Sequence, residues 1–534
     1  GHDLIDARSA APPSPIRSKR MQQTPQVVFN GAPLSAADVA AIAHRRCRAV
    51  LSAEPAFVER IDRGAEFIDR VWQEEGVVYG VTTGYGDSCS VSIPSALVEE
   101  LPRHLYTFHG CGLGDVFDET ETRAILAARL ASLARGFSGV RYTLLAQLQR
   151  LLDADVLPVI PKEGSVGASG DLTPLSYVAA VLAGEREVVH AGARRPTAEV
   201  FAELDIEPIT LRPKETLAVM NGTAVMTGLA CLALDRARYL CALGSRITAL
   251  AVLALQGNAN HFDARLFSVK PHPGQGDAAA RIHADLGAGA DHRRQSSRLQ
   301  DRYSLRCAPH VIGVLEDALP WATQFVETEL NSANDNPIID PEQGRVLHGG
   351  HFYGGHIAFA MDALKTAVAN VADLLDRQLA QLVDTKFNHG LPANLSGAEG
   401  ARRALNHGFK AVQIGTSAWS AEALKLTMPA SVFSRSTESH NQDKVSMGTI
   451  GAIDCLRVLT LTEQVVAATL MGACQGVWLR ERAGEIDAAA LAGVRTTLDE
   501  VAASFAFLVE DRALEGTLRE VVARIARRDF SLYE

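Results

Sequence analysis

Apolar residues return along this chain mostly at intervals of three and four, the spacing that gathers side chains on one face of a helix. Leu144, Leu145, Leu148, Leu151 and Leu152 share such a face. Leu364, Val368, Val371, Leu375 and Leu382 make a longer stripe that predicts a helix over about 358–384. From Cys455 to Leu470 the pattern is apolar almost all round, as expected of a helix at the centre of a bundle or an oligomer. Near the start, Val27-Val28-Phe29 followed by Asn30-Gly31 reads as a short strand and turn. Ser35, three residues before Asp38, predicts the start of a helix running towards Arg46. The stretch 75–92 holds four glycines, two tyrosines and two adjacent threonines, and reads as a mobile loop.

These elements predict a mainly α fold: a smaller, glycine-rich α+β part followed by a core of long bundled helices. The expected division is 1–24 as a disordered extension, 25–204 as the N-terminal domain and 205–534 as the helical bundle. No internal repeat, low-complexity block or linker interrupts the chain after residue 24.

Composition narrows the picture. Aromatics are only 6% beside abundant Ala and Leu, which favours helix. A net charge of -10 argues against nucleic acid as a partner. No uncharged apolar run reaches the roughly 18 residues of a spanning helix, so no membrane partner is expected. The longest candidates, such as Ile247 to Leu255, are short enough to be buried core helix. The eight cysteines form no CxxC pair and no zinc spacing, which predicts neither a metal site nor a disulfide framework and fits a reducing cytoplasm. The first twenty residues lack an apolar signal core and are set outside the fold.

The most informative run is Gly164-Ser-Val-Gly-Ala-Ser-Gly-Asp-Leu-Thr-Pro-Leu175. Glycines at 164, 167 and 170 free the backbone for conformations that a side chain forbids. Taken alone, the run could be a glycine-rich turn with Asp171 capping the next helix. A chemical reading is also open. Attack of the Gly170 nitrogen on the Ala168 carbonyl closes a five-membered ring. Loss of water from that ring and from the Ser169 side chain gives 4-methylidene-imidazol-5-one (MIO). Closure needs Gly at 170, where a Cβ would crowd the nitrogen, and Ser at 169, whose hydroxyl leaves.

This run resembles the signature of the histidine, phenylalanine and tyrosine ammonia-lyases and the related aminomutases. The resemblance extends in order through Tyr79-Gly-Val-Thr-Thr-Gly-Tyr-Gly86, Met220-Asn-Gly-Thr223 and Gln300-Asp-Arg-Tyr-Ser-Leu-Arg-Cys307. It continues through Asp335-Asn-Pro337, Gly349-Gly350 with Phe352, and Asn441-Gln-Asp443. It covers the chain from about residue 26 to the C-terminus. It implies MIO from Ala168, Ser169 and Gly170 as the electrophile, without a metal or pyridoxal phosphate. It also implies a homotetramer whose active sites combine loops of different chains.

Eliminating ammonia from an α-amino acid requires activation of a poor leaving group and removal of a weakly acidic β-proton. The electrophile addresses the first. The resemblance gives the second to Tyr79, whose phenol, ordinarily near 10, must be tuned downward to act as base. Arg306 suits the substrate carboxylate because its planar fork matches two oxygens. Tyr303 is implied to close over the site from a neighbouring subunit. Asn221 and Gln300 are implied to position MIO and substrate, with Asn441 in the same motif set, and Phe352 matches the family's aromatic residue near MIO. His351 departs from the Asn common beside that Phe.

Selectivity rests on two positions. Phenylalanine enzymes usually carry Phe-Leu where this chain has Phe108-His109, tyrosine lyases can carry His-Leu, and histidine lyases Ser-His. His109 offers a hydrogen bond that is wasted on a plain phenyl ring. Gln442 stands where histidine lyases generally place Glu. Glu438, four residues earlier, matches the carboxylate that phenylalanine-type enzymes direct at the substrate amine, and a helical stretch would put both on one face. Together these predict an aromatic amino-acid ammonia-lyase converting L-tyrosine to trans-4-coumarate, with some conversion of L-phenylalanine to cinnamate. A tyrosine aminomutase giving β-tyrosine, a histidine ammonia-lyase giving urocanate, and an inactive helical assembly protein stay open as alternatives.

Overall fold

The computed structural model describes residues 24–287, 290 and 298–533. The expected N-terminal extension lies outside the described residues except for its last position.

β1 (Gln26–Phe29) pairs in parallel with β2 (Arg48–Leu51) across α1 (Ala36–Ala43). Ser35 and Asp38 close a reciprocal capping box, and the helix stops at His44, short of Arg46. The long α2 (Pro55–Glu75) ends at Gly76 in the left-handed region and hands the chain to the 75–92 loop, which contains one short 3-10 turn over Gly86–Ser90. The N-terminal helices of eight or more residues that follow are α3 (Leu101–Phe108), α4 (Glu119–Leu133), α5 (Tyr142–Ala154) and α6 (Leu172–Leu182). The five leucines of the first stripe are the buried face of α5. Sheets are small: among the described residues each has two or three strands.

After the short α7 (Glu215–Met220) comes the bundle: α8 (Ala224–Ala254), α9 (Ala308–Leu330), α10 (Gly355–Val383), α11 (Lys410–Lys425) and α12 (Gly448–Arg482). The stripe at 358–384 is α10, and the all-round apolar segment is the middle of α12, as its central position requires. Ile247–Leu255 is buried core helix: it is the C-terminal end and cap of the 31-residue α8, whose apolar run is broken in sequence by Asp235, Arg236, Arg238 and, directly before Ile247, Arg246. Arg236 can sit there because Glu463 of α12 holds it through two hydrogen bonds. α8 is also the one helix among the described residues long and apolar enough to cross a membrane, and 83% of its most apolar window is buried inside the bundle.

Three of the long helices run the same way. At one end the Met226 thioether lies against both Gly354, the residue before α10, and Gly448, which begins α12. At the other, Gln378 of α10 donates to Thr248 at 2.9 Å and Arg480 of α12 donates to the Ala254 carbonyl at 2.8 Å. α9 runs opposite, bringing Glu329 back to accept from Thr223 at 2.6 Å. Three helix N-termini, and their positive dipole ends, therefore meet at one place.

Candidate active site

That place is the turn at Ala168-Ser169-Gly170. Gly170 has φ of +71°, and a Cβ there would lie 2.0 Å from the Gly222 carbonyl oxygen, so only glycine fits. The crowding comes from this neighbouring strand-like segment as well as from the local ring geometry expected above. Asp171 N donates to Gly222 O at 2.8 Å, and Gly222 N donates to Ser169 O at 3.3 Å. Asn221 Nδ2 reaches the same Ser169 carbonyl at 2.9 Å, while its Oδ1 is buried without a partner. Gln442 Nε2 donates to Ser169 Oγ at 3.1 Å.

Asp171 precedes α6 but does not cap it. Its buried carboxylate accepts instead from Met226 N in the first turn of α8 at 3.0 Å, from Ser165 Oγ at 3.0 Å, and from Thr449 Oγ1 at the start of α12. Burial pushes its carboxyl up, and these donors oppose the shift. One side chain thus pins the turn to two of the converging helices. Two further donors hold the backbone before the turn: Met447 N donates to Val166 O at 3.0 Å and Ser446 Oγ to Gly167 O at 3.1 Å.

Tyr79 lies at the beginning of its glycine-rich loop, with its hydroxyl accepting from Gly86 N at 2.8 Å. Burial and the nearby Glu438 carboxylate push the phenol above its ordinary value, and the Gly86 N–H pulls the other way. The downward tuning expected from sequence does not come from this chain's own groups. His348, which follows the hairpin β3 (Ile338–Asp340) and β4 (Arg345–Leu347), meets the Tyr79 ring edge-on at 6.2 Å; nothing in the sequence marked it.

Glu438 and Gln442 do not share a helix face. Glu438, Ser439 and His440 all have φ between 52° and 66°, and they form a turn closed by the Thr437–Gln442 bridge. A helix cannot pass through three left-handed residues. The turn sends the two side chains to different partners. Glu438 accepts from Asp87 N at 2.6 Å and from Asn441 Nδ2 at 2.9 Å, which ties it to the Tyr79 loop. Gln442 reaches Ser169, and its Oε1 accepts from Thr437 Oγ1 at 3.0 Å.

His109 caps α3. Its Nδ1 lies 3.3 Å from Thr173 Oγ1, four residues beyond Ser169, and its ring packs at 4.5 Å on the exposed Phe108. Burial pushes His109 down to about 4, so it is neutral at physiological pH. Phe352 is half-buried and His351 exposed on the turn into α10.

Gln300, Tyr303 and Arg306 are elsewhere. Asp301 accepts from Asn258 N just beyond the C-terminus of α8, and Ser304 O accepts from Gln378 near the far end of α10. Arg306 lies over the Tyr303 ring at 4.9 Å, and that ring is 71% exposed. With α8 31 residues long, about 46 Å at about 1.5 Å per residue, these three residues and Ser169 stand at opposite ends of the bundle.

Parallel helices thus bring their N-termini to the Ala-Ser-Gly turn, and comparison with known proteins identifies the family. The family model for aromatic amino acid lyases matches residues 34–498, and the chain belongs to that family. It is similar to the histidine ammonia-lyase of Caldanaerobacter subterraneus subsp. tengcongensis, 37% identical over 85% of this chain and 89% of the relative. Among solved structures it resembles the tyrosine aminomutase from Streptomyces globisporus, with a TM-score of 0.87 and 35% identity over 95% of this chain and 97% of the other. A histidine ammonia-lyase from Trypanosoma cruzi superposes with a TM-score of 0.84 at 30% identity, covering 94% of each chain.

Proposed function

We propose that this chain is an ammonia-lyase that converts L-tyrosine to trans-4-coumarate, using MIO formed from Ala168, Ser169 and Gly170. In forming that group the Gly170 nitrogen bonds to the Ala168 carbonyl carbon. One water leaves from the ring and one from the Ser169 side chain and α-carbon. The fit rests on the Gly170 position that excludes a Cβ and on the donors already facing Ser169. Once formed, MIO supplies an electrophilic methylene for the substrate amine.

The chain's own residues supply the rest. Asn221 Nδ2 and Gly222 N draw electron density towards the Ser169 carbonyl oxygen, and the three helix dipoles act in the same sense. Tyr79 takes the β-proton, held in place by Gly86. Arg306 and Tyr303, too far from Ser169 in their own chain, are contributed by another copy, with Gln300 on the same segment. Arg306 then binds the substrate carboxylate and adds the positive charge that Tyr79 lacks in the single chain. This is the arrangement of a homotetramer with shared sites.

Gln442 carries the choice of tyrosine. Its Oε1 is held by Thr437, its Nε2 is released when the Ser169 hydroxyl leaves, and it holds no charge with which to bind an imidazole. The neutral His109 keeps Nε2 for a phenol hydroxyl while Nδ1 faces Thr173. Two further readings have specific support: urocanate from histidine, from the names of the curated relatives, and β-tyrosine, from the aminomutase structures. Purified protein given L-tyrosine should release 4-coumarate and an equal amount of ammonia. β-Tyrosine without net ammonia would replace the lyase reading with the aminomutase.

A further inference from the structure

Arg129 lies in α4 within an otherwise apolar stretch, and its side chain is fully buried. A guanidinium taken out of water normally pairs with a carboxylate. Here the partners among the described residues are oxygens without charge: the Asn221 carbonyl at 3.1 Å, Asn334 Oδ1 at 3.0 Å, and Ser132 Oγ. Its Nε has no partner among the described residues. Burial pushes the group down to about 10, so it keeps its charge near neutral pH. The carboxylates that offset its charge, Asp335, Asp171 and Glu329, act through space rather than by direct contact, and a buried cation held only by neutral oxygens calls for a role.

Its position supplies one. Arg129 donates to the carbonyl of the Asn221–Gly222 peptide, and the N–H of that same peptide donates to Ser169 O. Asn334, held by Arg129, also accepts from Thr223 N at 3.2 Å, so the segment 221–223 is clamped from behind. The approach is close enough that a Cβ on Gly222 would lie 2.3 Å from the guanidinium nitrogen and 2.4 Å from Asn334 Oδ1.

We propose that Arg129 is a positioning residue that polarises the Asn221–Gly222 peptide towards the Ser169 carbonyl oxygen and so sets the reactivity of the electrophile. A positive charge one peptide away strengthens the Gly222 N–H as a donor and fixes Asn221. The inference rests on the MIO reading above.

Asn334→Asp tests it without removing the arginine. The new carboxylate keeps the oxygen that accepts from Arg129 and Thr223 but cancels the charge. A merely structural Arg129 gains an ion pair, and activity follows stability. On the proposal, thermal stability is kept or raised while kcat falls about tenfold or more with little change in KM. The rate at which borohydride bleaches the MIO absorbance falls in parallel. Arg129→Gln should lower both rates by about a hundredfold, and Arg129→Lys should recover part of the loss. Intact mass reports the two-water deficit in every variant. A wild-type chain without that deficit overturns the MIO reading itself. A wild-type chain that has it, beside a folded Asn334→Asp with unchanged kcat and bleaching rate, overturns the role of Arg129 alone. Should Arg129→Gln fail to fold, the Asn334→Asp and Arg129→Lys measurements decide.

Discussion

Asn221→Ala separates electrophile activation from stability. The Ser169 carbonyl oxygen receives two donors, Asn221 Nδ2 at 2.9 Å and Gly222 N at 3.3 Å. The first is at the usual length and the second beyond it, so the side-chain amide carries most of the stabilisation. Removing one such donor costs about 2.7–4 kcal/mol of transition-state stabilisation, about 100- to 1,000-fold in kcat, and the weak remaining donor places the loss in the upper half of that range. Stability moves differently. The substitution loses one hydrogen bond, about 1 kcal/mol, but also removes the buried Oδ1 that has no partner, a relief of about 1–3 kcal/mol. Tm is therefore expected to hold or rise slightly. Steady-state kinetics with L-tyrosine and a thermal melt on the same preparation check both. A stable variant that keeps kcat within about tenfold of the parent would show that charge does not develop on the Ser169 oxygen.

Ser169→Ala should abolish turnover and the two-water mass deficit while leaving the fold, because among the described residues the Ser169 hydroxyl is hydrogen-bonded to Gln442 alone. Tyr79→Phe should retain the mass deficit and lose most activity; activity at the parental rate would remove Tyr79 as base. His109→Leu should shift the ratio of specificity constants from tyrosine towards phenylalanine, and an unchanged ratio would mean that His109 does not face the ring. The same variant has a pH signature. His109 is held at about 4 in the folded chain against 6.5 when exposed, so its contribution is fully present above 6.5 and is lost as pH falls towards 4. The difference is at most about 3 kcal/mol. Melts across that window should show a steeper acid loss in the parent than in His109→Leu, and parallel curves would refute the burial of a neutral imidazole.

Spacing alone made the long helices legible, because burial of an apolar face is what holds them. Their lengths were less so: α8 looked short because Asp235, Arg236, Arg238 and Arg246 break its apolar run, and only the tertiary structure shows Glu463 meeting Arg236 and Asp285 meeting Arg246. The Ala-Ser-Gly chemistry was legible in residue type, since ring closure constrains both Gly170 and Ser169. The turn at Glu438–His440 was not, because three consecutive left-handed residues without a glycine leave no local signal. Asp171 looked like a cap for its own helix, whereas two of its three partners lie 55 and 278 residues away. Arg129 is one charge in an apolar helix, and only its depth distinguishes it from a solvated arginine. Arg306 could be matched to a carboxylate from its chemistry, but its distance from Ser169 emerges only from the parallel course of α8 and α10.

The central claim is tested most directly by offering the purified chain L-tyrosine, L-phenylalanine and L-histidine separately and following each unsaturated acid by ultraviolet absorbance and mass spectrometry. The account predicts 4-coumarate with released ammonia as the fastest product, cinnamate more slowly, and no appreciable urocanate. Urocanate as the main product would contradict the reading of Gln442 and His109 while leaving the family and its chemistry in place.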